Sequence, residues 1–574
     1  MGHPLQGKSL APAALAAAAA LLVCLALIHA MPGDAYWAGD CASRALQAGR
    51  LLATHYSDFH LDYPAAEFDP DGLAYPLPAL AVRLPGGFAS IFPIGYAALA
   101  APGLALGGPA ALRWPAALGL AGCVFGFALW LAPVVDRRVA ALAALALGLA
   151  TPLLFYGVVV WEHSLAVALC VAAWLLAASG TPARLACAGA LLGLGCWLRE
   201  ELVLVAAGLA LACALLQRRA AGPALLAAGA LPPLLLLAAW NRRAYGDVLG
   251  PHVIALDAAR ALALPVSALP RRVAALLAAY GTSEPEALAL AGAGLAGVAI
   301  GAAAEWRGRR VAALASASAI GLAIWLYAEV RAHSLAPLLG LVSYNGWIAQ
   351  LPASCLAGCG AVRLGRHPAG AGLRAGVLAG LFFLFAASAI GLATQSVFGT
   401  GLHVGPRLLL PGLPALWALA LLAVHGDGPG AARRVAATSA ALLVAAGVVS
   451  SSRGVRLLAL QASEVDALQR TLRARPERVV VSGDAMLTEL LAGVWHEKAM
   501  LHAQSPATLA RVAAALRRRG ETAFLVLAPE ATPIGDPAVG ARCRLAARQR
   551  GAALGYVDTD LLRCTLGAAE AAPR

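Results

Sequence analysis

Two aspartates stand close together near the start of the chain. Asp34 and Asp40 lie within residues 33–40, directly after a long apolar run. A carboxylate that is positioned and partly desolvated can act as a general base toward an acceptor hydroxyl or amine. Loops that leave a membrane also contain Asp and Gly as solvated residues, so the position alone keeps both interpretations open.

Arg44 follows Asp40 at a spacing that can matter. If residues 41–51 form a helix, positions four apart are neighbours on one face. Arg44 would then orient the Asp40 carboxylate or contact a phosphate. The alternative is an ordinary ion pair within the helix.

A second polar group lies between two apolar runs, at Glu162 and His163. An acid and a histidine there can contact a leaving phosphate, assist proton transfer or help to hold a divalent ion. The alternative is an anchor at the membrane surface, with Trp161 in the aromatic belt.

Several arginines at apolar run ends are candidates for a lipid phosphate. Arg407, four residues after His403, is the strongest because a guanidinium binds phosphate in a bidentate manner. Arg407 is predicted to lie on the outer face, whereas the positive-inside rule accounts only for arginines on the cytoplasmic face. Arg242 and Arg243 share this argument more weakly.

The elements that position these residues are predicted to be membrane helices. The 574 residues are 60% hydrophobic and 13% charged, with a mean hydropathy of +0.75, whereas soluble chains carry about 25% charged residues. Apolar runs long enough to span a bilayer recur along residues 1–450, and we expect about 13 transmembrane helices in an all-α polytopic domain. The net charge of +13 falls largely in arginine clusters between these runs, which indicates membrane topology rather than nucleic-acid binding.

The charge pattern predicts which loops face outward. With the N-terminus in the cytoplasm, the first loop, 32–90, is periplasmic, and its six Asp and one Glu against three Arg suit that face. Residues 91–134 are expected to form one full span and a re-entrant or surface-lying segment. The bias toward Ala, Leu, Gly and Arg suggests a GC-rich bacterial genome, and hence a multi-pass protein of the inner (cytoplasmic) membrane.

Residues 451–574 differ in kind and are predicted to form a small periplasmic α/β domain. Buried strands are expected at 478–481 and 523–527, and helices at 484–494 and 506–519, because strand and helix patterns alternate.

Four polar or aromatic side chains of this C-terminal region are predicted to lie at the surface: Asp484, Trp495, His496 and Glu497. Its two cysteines, Cys543 and Cys564, can form a disulfide if the domain lies outside the cytoplasm, and the sequence leaves that open.

Short motifs in a fixed order resemble the GT-C superfamily of polytopic glycosyltransferases, in particular bacterial relatives of protein mannosyltransferases and lipid A aminoarabinose transferases. The early Asp of the acidic first loop is followed by four such segments: 92–96 (Phe-Pro-Ile-Gly-Tyr) with a Leu-Gly-Gly turn at 106–108, 198–201 (Leu-Arg-Glu-Glu), 241–247 (Asn-Arg-Arg-Ala-Tyr-Gly-Asp) and 405–411 (Gly-Pro-Arg-Leu-Leu-Leu-Pro). Two positions depart from the family pattern: Glu200 replaces a proline and Leu408 replaces a tyrosine.

The resemblance implies a membrane glycosyltransferase that takes a sugar from a polyprenyl-phosphate donor. The acceptor would be a glycan, lipid or protein on the outer face. In the family an acid of the first outer loop serves as catalytic base or metal-coordinating group, which points to Asp40 first and Asp34 second. No cofactor is certain, a divalent metal is possible, and membrane lipids are expected partners.

Two other classes of function stay open. A transporter or lipid flippase would show internal repeats and ionisable residues in mid-membrane, and neither is visible in the sequence. A non-catalytic envelope assembly protein would use the C-terminal domain as its binding module. Because fold-level resemblance does not establish activity, the two departures from the motifs leave room for such a role.

Overall fold

The computed structural model describes most of the chain: residues 10–217, 221–252, 254, 269–280, 286–335, 346–366, 371–393, 404–425, 430–528, 541–550 and 558–566. The chain divides into two compact units, which are described separately. The first contains Met1–Leu27 and Arg113–Arg456, and the second contains Ile28–Leu112 and Leu457–Arg574. The first loop and the C-terminal region thus share a unit, whereas the sequence analysis grouped that loop with the membrane domain.

Helices dominate the described residues. In the first half of the chain they are α1 (Ala11–His29), α2 (Gly39–Ala53), α3 (Gly95–Gly107), α4 (Trp114–Leu131), α5 (Arg137–Leu149), α6 (Leu153–Tyr156), α7 (His163–Ala177), α8 (Pro182–Gly195), α9 (Leu202–Gln217) and α10 (Ala221–Tyr245). In the second half they are α11 (Leu269–Tyr280), α12 (Ala287–Trp306), α13 (Arg310–Leu335), α14 (Trp347–Gln350), α15 (Ala357–Arg366), α16 (Ala371–Ala393), α17 (Leu413–Val424), α18 (Gly430–Arg473), α19 (Ala485–Leu490) and α20 (Pro506–Arg518).

Eight of the described helices are long and apolar enough to cross a membrane, by length and composition. They are α1, α4 with the 3-10 turn before it, α10, α12, α13, α16, α17 with the 3-10 turn before it, and α18. Shorter apolar helices are α3, α7, α8 and α9. The predicted all-α membrane architecture is confirmed, while the number of crossings and their direction stay predictions.

Small residues let helices of the first unit approach closely. A Cβ added at Gly193 of α8 would lie 2.7 Å from the Ala230 carbonyl oxygen of α10, and one at Gly229 would collide with the Ala186 backbone. In a membrane, close van der Waals packing replaces much of the hydrophobic drive for helix association. Alanine and glycine along these runs are therefore packing residues.

The second unit contains both sheets. The strands are β1 (His60–Leu61), β2 (Ala81–Leu84), β3 (Gly87–Ser90), β4 (Val479–Ser482), β5 (Ala499–His502), β6 (Ala523–Ala528), β7 (Ala541–Gln549) and β8 (Thr559–Leu566). The first three form an antiparallel sheet in the order β1-β3-β2. The others form a sheet in the order β5-β4-β6-β8-β7, in which β4 runs parallel to β5 and β6.

The C-terminal α/β region agrees with the sequence prediction. Strands β4 and β6 and helices α19 and α20 lie where the alternating pattern placed them, and the strand residues are buried on both faces, as parallel strands usually are. Cys543 and Cys564 face each other across β7 and β8 and form a disulfide.

Trp495 corrects the predicted surface cluster. It is buried, and its indole N–H donates to the Asp62 carbonyl oxygen at 3.1 Å. Trp495 belongs to one hydrophobic core with Leu77 of the first loop and Val480 of β4. Some residues that bury Trp495 lie hundreds of positions away in the sequence, so its sequence neighbours do not indicate that it is buried.

Candidate functional site

Glu162 and His163 meet in the first unit at an arginine that the sequence analysis quoted only as part of a motif. Arg199 donates from Nη1 to Glu162 Oε1 at 3.1 Å and lies 3.0 Å from His163 Nδ1. Its Nε donates to Glu201 Oε1 at 2.6 Å. Glu162 is 2% exposed and Arg199 is 9% exposed, so this is a buried network with opposite charges paired.

Local structure brings these residues together. α7 begins at His163, directly after Glu162, and an acid at a helix N-terminus faces the positive end of the helix dipole. Arg199 follows the end of α8, in a short irregular segment before α9. Two helix ends therefore supply the partners, and the sequence separation of 37 residues hid the pairing.

Arg407 reaches the same network through an aromatic ring. Its guanidinium carbon lies 5.1 Å from the centre of the Trp161 ring, and that ring lies 5.3 Å from the His163 ring. This is the geometry of a cation–π contact. Arg407 is half-buried at the start of a 3-10 helix. The structure thus joins three predicted residues, Glu162, His163 and Arg407.

The departure from the family motif at Glu200 has a partner in the structure. His252 Nδ1 lies 3.1 Å from both carboxylate oxygens of Glu200. The residue that replaces proline is therefore part of an ion-pair or hydrogen-bond contact, depending on the protonation of the histidine.

Other predicted phosphate contacts lie elsewhere or outside the described part. Arg242 and Arg243 are exposed at the end of α10, and Arg242 Nη1 donates to the Gly246 carbonyl oxygen at 2.8 Å. His403 lies outside the described residues, so its predicted role stays a prediction.

Asp40 lies in the second unit, in the first turn of α2, and is half-buried. A second carboxyl that sequence reasoning missed, Glu489 of α19, lies against the same turn. A Cβ at Gly39 would collide with the Glu489 carboxylate and would stand 2.5 Å from Leu80 Cδ1. Glycine at position 39 therefore leaves room for Glu489 beside the α2 backbone.

The surroundings of Glu489 favour its neutral form. The residue is 9% exposed. Burial, together with the charges of Asp40 and Asp484, raises the pKa of Glu489 from 4.5 to about 8. Near neutral pH Glu489 therefore largely keeps its proton, and a carboxyl with a raised pKa is one that general acid–base chemistry can use.

Arg44 and Asp34 have identifiable contacts in the same unit. Arg44 Nη1 donates to the backbone carbonyl oxygen of Asp40 at 2.8 Å, and its guanidinium lies 3.9 Å from the centre of the Phe92 ring. Asp34 forms an ion pair with Arg473 at 2.7 Å. Among the two early aspartates, Asp34 thus has a cationic partner and Asp40 has a neighbouring carboxyl.

Within the described part of the chain, no group of three or more His, Cys, Asp or Glu side chains is placed to hold a metal ion. Asp40 and Glu489 offer two neighbouring carboxyls.

Similarity to solved structures extends over most of the chain. ArnT from Cupriavidus metallidurans in the apo state matches with a TM-score of 0.48 and 11% identity, over 95% of this chain and 97% of that chain. ArnT bound to undecaprenyl phosphate matches with a TM-score of 0.41 and 12% identity, over 97% and 99%. The archaeal oligosaccharyltransferase AglB from Archaeoglobus fulgidus, in complex with an inhibitory peptide and a dolichol-phosphate, matches with a TM-score of 0.47 and 12% identity, over 89% and 69%.

TM-scores below 0.5 and identities of 11–12% are too low to transfer a substrate or a residue role to this chain. No protein-family model matches the sequence, and no curated protein matches it at a significant level.

Proposed function

We propose that this protein is a membrane glycosyltransferase that moves a sugar from a polyprenyl-phosphate donor to an acceptor on the periplasmic face. The observation that carries the proposal is the half-buried Asp40 in the first turn of α2, with the carboxyl of Glu489 against the same turn. The ordered motifs of the sequence supply the class of donor.

In the proposed reaction, Asp40 is the general base and polyprenyl phosphate is the leaving group. Asp40 accepts the proton of the acceptor hydroxyl, and the acceptor oxygen attacks the anomeric carbon of the sugar. The bond between that carbon and the phosphate oxygen breaks, so that polyprenyl phosphate leaves with the bonding electron pair. Attack from the side opposite to the phosphate inverts the anomeric centre. A positioned general base contributes about 10²–10⁴-fold to such a step.

Arg407, in the first unit, is proposed from the sequence motifs alone as a contact to a lipid phosphate. Its guanidinium carbon lies 5.1 Å from the centre of the Trp161 ring, which is the geometry of a cation–π contact. His163 and Glu162 would hold the ring of Trp161 and the local backbone in place.

The disulfide supports the proposed location of the C-terminal region. Disulfides persist in oxidising compartments such as the bacterial periplasm and are rare in the cytosol. Cys543 and Cys564 form one between β7 and β8, which fits a periplasmic position for residues 451–574.

The test is transfer of labelled sugar in proteoliposomes. Radiolabelled polyprenyl-phosphate sugars from a bacterial membrane extract are supplied with an envelope glycan fraction, and label in the glycan is counted. We expect transfer with the wild type, and a rise of about tenfold or more in the donor KM for R407A, because a charge-assisted phosphate contact is lost. R434A, which alters an exposed arginine that is not a candidate phosphate contact, is the matched control and should behave as wild type. Donor that crosses the bilayer unconsumed would instead indicate a flippase.

A further inference from the structure

A cavity of about 530 Å³ lies in the first unit, and its lining residues are separate from the candidate site residues. Its wall is formed where α4 and α7 end and where α1, α5, α8 and α16 begin. The polar network around His163 is at the opposite end of α7, and 15 residues of helix span roughly 22 Å. The cavity is therefore a separate feature of the membrane unit.

The wall combines an apolar surface with two cations. Most lining residues are Leu, Ala, Val, Pro or Trp, and the charged ones are Arg137 and Arg184. Arg137 opens α5, and Arg184 lies in the first turn of α8. The residue before α8, Thr181, makes no side-chain cap hydrogen bond. The N–H groups and the positive dipole end of α8 thus add to the attraction for an anion.

Trp130 provides an independent indication of a ligand. Its side chain lines the cavity and is 2% exposed. Its indole N–H has no hydrogen-bond partner among the residues that the structure describes. A buried indole N–H usually finds an acceptor, and a bound group with acceptor oxygens would supply one.

Asp136, the acid next to Arg137 in the sequence, does not cancel the preference of the cavity for an anion. Asp136 is exposed, and its carboxylate accepts from the backbone N–H of Arg138 at 2.8 Å, so that it caps α5. Asp136 is not among the residues that line the cavity. The charge in the wall is therefore positive.

We propose that this cavity binds the phosphate headgroup of an anionic membrane lipid, as a site distinct from that of the sugar donor. Arg137, Arg184 and the start of α8 contact the phosphate oxygens, and the apolar wall receives the first part of a hydrocarbon chain. Free phosphate would leave that apolar surface uncovered, whereas a lipid covers it. The cavity volume lies within the range of about 300–1,000 Å³ that is typical of ligand sites.

Native mass spectrometry of the full-length protein in detergent tests the proposal. Dioleoylphosphatidylglycerol, dioleoylphosphatidylcholine and inorganic phosphate are added in separate series. The wild type should retain phosphatidylglycerol at a concentration about tenfold lower than phosphatidylcholine, because the choline cation of phosphatidylcholine offsets the charge-assisted contact of its phosphate with the two arginines. The R137A/R184A double variant should lose this preference. R138A, which removes the neighbouring exposed arginine, should keep it.

W130F is the second variant, because it retains an aromatic ring and both arginines but removes the N–H donor. It should weaken retention of phosphatidylglycerol by about fivefold, as expected for one lost hydrogen bond. Equal retention of the two lipids by the wild type would overturn the proposal. So would an unchanged preference in both R137A/R184A and W130F, or binding of inorganic phosphate without binding of lipid.

Discussion

The two polar centres of this protein solve the problem of buried charge in different ways. In the first unit, Arg199 is surrounded by Glu162 and Glu201, so that cation and anions compensate each other. In the second unit, Asp40 stands beside another carboxyl, Glu489. Burial and the neighbouring carboxylates raise the pKa of Glu489 to about 8, so that a retained proton removes its charge.

This difference bears on which of the two centres holds residues in position and which can transfer a proton. In the Arg199 network each charge has a partner at a defined distance, which suits a positioning role. Beside Asp40, the raised pKa of Glu489 places a titrating carboxyl close to neutral pH. This difference supports the proposal that proton transfer belongs to Asp40 and its surroundings rather than to the Arg199 network.

The largest expected effect is on activity. D40N should lower sugar transfer by about 10²–10⁴-fold, because an amide cannot accept the acceptor's proton. Labelled glycan from proteoliposomes is the measurement. D71N is the control, since Asp71 lies in the same loop and is exposed. If D40N, at wild-type protein levels, transfers sugar as fast as D71N, Asp40 is not the base.

Among the expected effects on stability, the largest should follow from removal of Arg199, the cation at the centre of its network. R199A leaves the buried Glu162 and the half-buried Glu201 without their cation, and breaking a buried pair such as Arg199–Glu162 costs about 3–5 kcal/mol. Thermal unfolding of the purified protein, followed by fluorescence, should show a clearly lower Tm than for R243A, which alters an exposed arginine. Equal Tm values for the two variants would mean that the network contributes no stability.

Two glycines of α2 should respond in opposite directions to alanine. G39A forces a methyl group into the Glu489 carboxylate and Leu80, which should cost about 1–3 kcal/mol. At Gly49 the nearest atom to an added Cβ is 4.0 Å away, so that G49A should stabilise the helix by about 0.5–1 kcal/mol. Denaturant unfolding of the two variants measures both. A neutral G39A would show that Glu489 does not lie against this turn.

Local patterns were enough to predict most of the fold. Apolar runs gave the membrane helices, and the alternation after residue 477 gave the buried strands β4 and β6. In both cases neighbouring residues in sequence carry the information, since hydrophobic period and run length are local properties. Residue type and position beside the apolar runs identified Glu162 and Arg407 as candidates, and the resemblance to a known superfamily singled out Asp40.

The partners of these residues could not be predicted, because they are distant in sequence. Glu489 is separated from Asp40 by the whole membrane region, and its own helix gives no sign of a raised pKa. Arg199 was visible only as part of a motif. Trp495 is predicted to lie at the surface together with its polar neighbours, whereas the core that buries it includes first-loop residues such as Leu77.

The most direct test of the central claim is the pH dependence of the stability of E489Q. Glutamine mimics the protonated acid, so that both proteins should have similar Tm values near pH 4. Because the folded-state pKa of Glu489, about 8, exceeds the ordinary value of 4.5, the wild type should lose stability as pH rises from about 4.5 toward 8. E489Q should lack this loss and be the more stable protein at pH 8. Parallel Tm curves for the two proteins from pH 4 to 9 would contradict the assignment of a titrating carboxyl pair.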